Sequence, residues 1–264
     1  MGDNKKTVKK HKYKNILLTG ASGQLGRAIL NSGIFPHFLT PAMDVFDITK
    51  PDSIEKYFKQ HEFDAIVHCA ALARVAECEE NPIKAIKTNI IGTANLVNAL
   101  IYKEDKLKAN IRFIHISTDG VYPGTRGNYS EKDETAPYNI YGWTKLGAEC
   151  AVNLLSNFCI IRTSFFDPEK IRFDCSATDL YSSKASIDYL ARAIFSMLES
   201  GFIGVINIGG RRQADYERYK KFKPRLKPCK RLDILKNINF KIAKDASLNL
   251  KTWRKIESKA IKRN

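Results

Sequence analysis

Residues 13–26, YKNILLTGASGQLG, decide how the rest of the chain is read. Tyr13 to Thr19 reads as a short buried strand, because three consecutive branched apolar residues suit a position covered on both faces. Gly20-Ala21-Ser22-Gly23-Gln24-Leu25-Gly26 follows at once, and a helical pattern continues through Arg27, Ala28, Ile29 and Leu30. Glycines three apart between a strand and a helix allow a tight turn. They also let the backbone approach a pyrophosphate resting on the helix N-terminus. An ordinary strand-to-helix turn would use the same glycines, but the strand before and the helix after favour a dinucleotide site.

Beyond this turn, strands and helices alternate. Helices are predicted over 52–60 (opened by Pro51), 82–101, 139–155 and 187–198, and strands over 65–69, 112–117, 159–163 and 204–208. Strands separated by helices require parallel crossovers, so the predicted fold is α/β, a doubly wound parallel sheet of the Rossmann type. Ligands of such sheets bind beyond the C-terminal strand ends. Gly20, Ala70 and Ser117 all fall there, which brings three sequence-distant stretches to one crevice.

The chemistry is concentrated in Ser117-Thr118-Asp119 and in Tyr141-Gly142-Trp143-Thr144-Lys145. A Tyr and a Lys four apart share one face of a helix. A free phenol has a pKa of about 10, and a neighbouring ammonium would bring it toward neutrality. The Thr118 hydroxyl would then hold a carbonyl oxygen while Tyr141 protonates it. Given a source of hydride, this set reduces a ketone.

At 264 residues the chain can bury a full core. No apolar run approaches a membrane span and no signal-peptide pattern opens the sequence, so a cytoplasmic enzyme with no membrane partner is expected. Six cysteines show neither metal-like nor redox-like spacing. His68 and His115 lie within predicted strands and read as structural; no metal is expected. The net charge of +16 is uneven. Residues 1–14 carry six Lys against one Asp, and residues 211–264 carry nineteen Lys and Arg against five Asp and Glu; the stretch between is mildly acidic. The basic C-terminal region suits clamping the diphosphate of a nucleotide-linked substrate. Binding to nucleic acid is the weaker reading, since no aromatic interleaving or recognised motif accompanies the charge, and no nucleic-acid partner is expected.

Several stretches together resemble the extended short-chain dehydrogenase/reductases, and within them the dTDP-4-dehydrorhamnose reductase family. They are ILLTGASGQLG (16–26), DAIVHCAAL (64–72), ECEENPIKAIKTNIIGT (77–93), FIHISTDGVYPG (113–124) and YSEKDETAPYNIYGWTKLGAE (129–149), with RTSFF (162–166), GVINIGG (204–210) and KDASLNL (244–250) continuing more loosely. The resemblance implies NADPH or NADH as cofactor and a nucleotide-linked 4-keto-6-deoxy sugar as substrate, in glycan precursor synthesis. It implies that Gly20, Gly23, Gln24, Leu25 and Gly26 line the pyrophosphate, that Asp47 and Ile48 lie beside the adenine, and that Ala70, Ala71 and Leu72 run along the cofactor. Asn89 matches a residue that supports the active-site helix. Tyr141 would donate the proton, Lys145 would lower its pKa and bind the nicotinamide ribose, Thr118 would bond the oxyanion, and Asp119 stands beside it in the catalytic set. Asp47 also reads as a helix cap, and the alanines as close packing. Thr40, at the predicted end of the second strand, is neither acidic nor basic and leaves NADH and NADPH open.

The implied organisation is a basic N-terminal arm (1–14), a nucleotide-binding domain (15–165, with return elements 187–210) and a shortened basic substrate lobe (166–264). A homodimer is one assembly open to it. The chain departs from the family pattern at Ala76, within Val75-Ala76-Glu77-Cys78-Glu79, and in a compressed segment between Arg162 and Ile187. Two other readings remain open. One is a nucleotide-sugar epimerase or dehydratase; the other is a non-catalytic subunit like the regulatory subunit of methionine adenosyltransferase, which resembles the same family.

Overall fold

The computed structural model describes residues 12–35 and 37–261. In chain order its strands are β1 (Ile16–Thr19), β2 (Phe38–Leu39), β3 (Ala65–His68), β4 (Arg112–Thr118), β5 (Phe158–Thr163), β6 (Phe165–Phe166), β7 (Cys175–Ala177), β8 (Tyr181–Ser182), β9 (Ala185–Ser186), β10 (Gly204–Asn207), β11 (Gln213–Ala214) and β12 (Lys227–Cys229). The helices are α1 (Gln24–Asn31), α2 (Pro51–Gln60), α3 (Val75–Glu80), α4 (Pro82–Ala85), α5 (Gly92–Leu107), α6 (Ile140–Val152), α7 (Ile187–Ser200), α8 (Asp215–Tyr219), α9 (Arg231–Leu235) and α10 (Lys251–Ile261).

Six strands form one parallel sheet in the order β10-β5-β4-β3-β1-β2, as doubly wound topology requires. Its central strands are apolar on both faces because helices cover both. Ile16, Leu18, Val67, Ile114 and Ile161 point to a core shared with α1, α7 and Trp253 of α10. Their alternates Leu17, Ile66, Phe113 and Ile160 point to a second core with α2, α5 and Val152 of α6. Tyr13 is buried in the first core, so the chain is anchored one residue short of the end expected for the basic arm. Residues 1–11 of that arm lie outside the described residues.

Two predicted outlines change. The helix expected over 82–101 is broken by a π-helical stretch, Ile86–Ile91, between α4 and α5. The wider turn is what lets Asn89 and Thr93 face the sheet while the apolar positions on either side keep their register, a use typical of such bulges. The basic C-terminus also conceals an amphipathic helix: α10 buries Trp253 to 2% exposure and packs Ile256 on the α7 side of the sheet. The remaining C-terminal elements build one small core of their own, Tyr216-Tyr219-Leu226, and lay Leu248 and Leu250 against Val121, Tyr122 and Tyr129 of the segment after β4. Among the described residues no helix is long and apolar enough to cross a membrane.

Candidate active site

The glycine turn divides its labour. Gly20 has φ +71°, and a Cβ there would stand 2.6 Å from the Ala70 amide nitrogen; one on Gly26 would stand 2.4 Å from the Gly20 carbonyl oxygen. The fold itself therefore demands those two. Gly23, the N-cap of α1, has an ordinary φ of −71°, and a Cβ there would come only to 3.2 Å from the Gly20 oxygen. No side chain caps α1, which leaves its first-turn N–H groups available to an anion. Gln24 is exposed, whereas the Leu25 side chain is buried, so Leu25 offers the crevice only its backbone.

The opposite wall is braced from below. Asn89 is 1% exposed; its Oδ1 accepts from the Leu72 amide (2.8 Å), and its Nδ2 donates to the Leu72 carbonyl (3.0 Å) and to Thr144 Oγ1 (2.9 Å). All its polar capacity is engaged by protein, so it acts as a clamp between the 70–72 loop and α6 rather than as a ligand contact. Ala70 donates its amide to Thr19 Oγ1 (3.3 Å). Asp47 accepts from the amide and hydroxyl of Thr49 (2.9 and 2.8 Å), while the Ile48 side chain turns into the core. Thr40 is exposed just past β2.

β4 delivers Ser117 and Thr118 to the crevice, and Thr118 Oγ1 caps the following turn by accepting from the Gly120 amide at 3.0 Å. Helix α6 lies directly on this turn: a Cβ on Gly142 would stand 2.3 Å from the Gly120 carbonyl oxygen, so only glycine permits the approach. Its N-terminus is fixed by Asn139 Oδ1, which accepts from the Gly142 amide, and by Glu79 Oε1, which accepts from the Ile140 amide, both at 2.8 Å. Tyr141 is thereby held beside Asp119. Asp119 is buried, and that burial raises its carboxyl to about 6 even though the Ser164 hydroxyl donates to it and Lys184 stands nearby. The Thr118 hydroxyl makes only a long 3.4 Å contact with Asp119, so it is free to donate elsewhere.

Lys145 departs from expectation. Its ammonium points inward and donates to His115 Nε2 at 3.1 Å, and burial lowers its pKa to about 8. The Tyr141 phenol is raised above its ordinary value, first by burial and then by the charge of Asp119. The two residues are one turn apart on α6, and the lysine stem leads to His115 on β4. His115, expected to be merely structural, is the lysine's hydrogen-bond acceptor.

Behind these groups runs a buried ion pair. Arg162 Nη2 meets Glu149 Oε2 at 2.7 Å with both side chains under 10% exposed, and Arg162 Nη1 donates to Tyr122 Oη at 3.0 Å. Ser117 Oγ donates to Glu149 Oε1 at 2.5 Å, and Tyr122 Oη to Asn207 Oδ1 at 3.0 Å. One network thus ties α6, β4, β5 and the end of β10 together beneath the site.

The sequence profile of the RmlD substrate binding domain matches residues 14–180, well over half of the chain. The chain belongs to this family. It is 34% identical over 143 residues to a dTDP-4-dehydrorhamnose reductase of Mycolicibacterium smegmatis, covering 53% of this chain and 41% of that one. Over 148 residues it is 30% identical to methionine adenosyltransferase 2 subunit beta of Mus musculus, covering 53% and 42%. A solved dTDP-4-dehydrorhamnose reductase from Clostridium acetobutylicum superposes with a TM-score of 0.78 at 26% identity, covering 89% of each chain. The chain spans about half the length of the curated relatives it matches, or somewhat less.

Within this RmlD-family chain, the glycine turn follows β1, the Thr118-Asp119 turn ends β4, and the Tyr141/Lys145 helix packs on that turn, all beyond the C-terminal ends of the parallel strands. Glu79, Ser164, Glu149 and Arg162 were missed. All four lie in family-like stretches, but nothing local marked them out: Arg162 is set beside Ser117 only by the register of β4 and β5, and Glu149 meets Arg162 only through the packing of α6.

Proposed function

We propose that the protein is an NAD(P)H-dependent reductase of a nucleotide-linked 4-keto-6-deoxy sugar. The observation that carries this reading is the seating of α6 on the 118–120 turn, which sets an acid, Tyr141, beside a free hydroxyl donor, Thr118, at the C-terminal end of β4. The cofactor fits the residues present: Gly23 leaves space over an uncapped helix start, and Ala70 to Leu72 form a clamped wall opposite. When bound, NADPH or NADH supplies hydride to the keto carbon. Thr118 donates to the carbonyl oxygen and stabilises the charge growing there, and Tyr141 delivers its proton to the same oxygen. A phenol raised above its ordinary pKa is fully protonated at neutral pH, which is the state a donor needs.

The basic lobe supports a nucleotide-linked substrate. A cavity of about 440 Å³ is lined by Lys184, Arg211, Arg218, Lys221 and Arg254 among aromatic side chains, with Glu257 as its one acidic residue. Lys184, whose ammonium is paired with Asp215 at 2.6 Å, also favours the charged form of the Asp119 carboxylate, which links the cavity electrostatically to the crevice. That charge and size suit a diphosphate and a base.

The dehydratase alternative is disfavoured by Gly120. Elimination needs a base and an acid at adjacent carbons, and the position after Asp119 has no side chain. The purified protein is therefore expected to oxidise NAD(P)H when given a dTDP-4-keto-6-deoxyhexose or its 3,5-epimer. It should release no 4-keto-6-deoxy product from the 4-hydroxy nucleotide hexose and NAD⁺. Mass-spectrometric detection of that product would overturn the reductase reading. The similarity to methionine adenosyltransferase 2 subunit beta keeps one further reading in view, a non-catalytic partner subunit in the same fold.

Cofactor binding has its own test at the glycine turn. Gly23→Ala adds one methyl where the fold has near room for it and a pyrophosphate would not. The variant should unfold at close to the parent temperature and lose NAD(P)H affinity by at least about tenfold, or roughly 1.4 kcal/mol. Equal affinities by isothermal titration would mean that the glycine serves only the turn.

A further inference from the structure

We propose that His115 is a positioning residue that fixes the Lys145 ammonium by accepting its hydrogen bond at Nε2. The two atoms are 3.1 Å apart, with Lys145 2% and His115 0% exposed. Among the described residues Lys145 has no other hydrogen-bond partner. Glu149, one turn further along α6, has both oxygens engaged by Arg162 and Ser117. An ammonium only donates, so Nε2 must be the bare nitrogen and the ring proton must sit on Nδ1. That Nδ1 is buried without a partner. Leaving a buried N–H unpaired is costly, and such a group in a folded protein calls for an explanation. The explanation here lies at the other nitrogen, which is aimed at Lys145.

The ring is held from behind. His68 lies beside it with centroids 5.3 Å apart and planes 33° apart. Both nitrogens of His68 are themselves bonded, to Thr19 Oγ1 at 2.7 Å and Thr93 Oγ1 at 3.0 Å. The titratable groups facing this pair are His68 at the end of β3, Cys69 just past it, and Glu149 from α6. Burial, then the Lys145 charge, keep His115 neutral far below the ordinary imidazole range. A neutral acceptor fixes where the lysine charge sits without supplying the negative charge that would raise its pKa. A carboxylate in the same place would do both.

The inference bears on the proposed reductase site but is read without turnover, so either reading can fail while the other stands. Nitrogen-15 histidine spectra of the full chain contain five histidines, and the His115 signals are the ones lost in His115→Gln. Neutral Nδ1–H tautomer is expected between about pH 6 and 7, where the Lys145 ammonium is charged; an Nε2–H tautomer or an imidazolium there would overturn the proposal. In carbon-13 lysine spectra, assigned with Lys145→Arg, His115→Met should move the Lys145 midpoint down by at least about half a unit, because the charged form loses its acceptor. His115→Gln, whose carbonyl oxygen accepts, should return it toward the parent value. A midpoint unchanged in His115→Met, or lowered as far in His115→Gln as in His115→Met, would refute it. Should His115→Met fail to fold, the tautomer and the His115→Gln midpoint decide.

Discussion

Tyr141→Phe is expected to lower turnover by roughly 10²–10⁴-fold, the usual scale for a positioned general acid, while folding and NAD(P)H affinity stay close to the parent. Among the described residues the Tyr141 hydroxyl makes no hydrogen bond, so its removal leaves no partner unsatisfied, and the ring remains in place on α6. The loss should therefore appear in kcat rather than in stability. Burial and the Asp119 charge hold the phenol above its ordinary pKa, so its proton is present throughout the neutral range. Any fall in the parent's rate on the alkaline side then reports Lys145, which burial lowers to about 8, and not the loss of the Tyr141 proton. Rate profiles of parent and variant against pH, with matched thermal unfolding curves, test this. A variant that reduces its substrate at the parent rate would remove Tyr141 from the chemistry. A parent that oxidises NAD(P)H with no 4-keto nucleotide sugar would favour the partner-subunit reading.

Much of this site was legible because its parts are local. The strand, glycine turn and helix at 16–31 lie within one short stretch, and each glycine can be judged from its neighbours. The Tyr141/Lys145 spacing is likewise a property of a single helix. What spacing could not show was where the lysine stem would lead. That depends on His115, thirty residues earlier on β4, and on a sheet register that sets it beside His68. The π-helical stretch was hidden for the same reason. Its apolar pattern reads as one long helix, and only the bonds from Asn89 to Leu72 and Thr144, and from Thr93 to His68, show why a wider turn is favoured there. In the C-terminal region the density of Lys and Arg masked the apolar face of α10, where Trp253 is buried and Ile256 packs against the core.

Arg162→Met is expected to be the most destabilising single change beneath the site. It leaves the Glu149 carboxylate, 2% exposed, with Ser117 as its remaining hydrogen-bond donor, and it also deprives Tyr122 Oη of a donor. Removing one partner of a buried ion pair costs about 3–5 kcal/mol, chiefly because the surviving charge is stranded. Domains of this kind are stable by only about 5–15 kcal/mol in total. Replacing both members by apolar residues removes the stranded charge, so Arg162→Met combined with Glu149→Leu should recover a large part of the loss. Urea unfolding of the parent, both single variants and the double variant completes the cycle. If Arg162→Met lies within about 1 kcal/mol of the parent, the pair is solvated and the network does not brace the site. The functional consequence follows from where Glu149 sits. It is one turn beyond Lys145 on the helix that also carries Tyr141, and it joins that helix to β5 through Arg162 and to β4 through Ser117. Weakening this join frees α6 to leave the 118–120 turn, where Gly142 allows a contact that only a firmly seated helix can keep. The single variant should therefore lose activity at temperatures where most of the protein is still folded, and the double variant should regain its stability before it regains its rate.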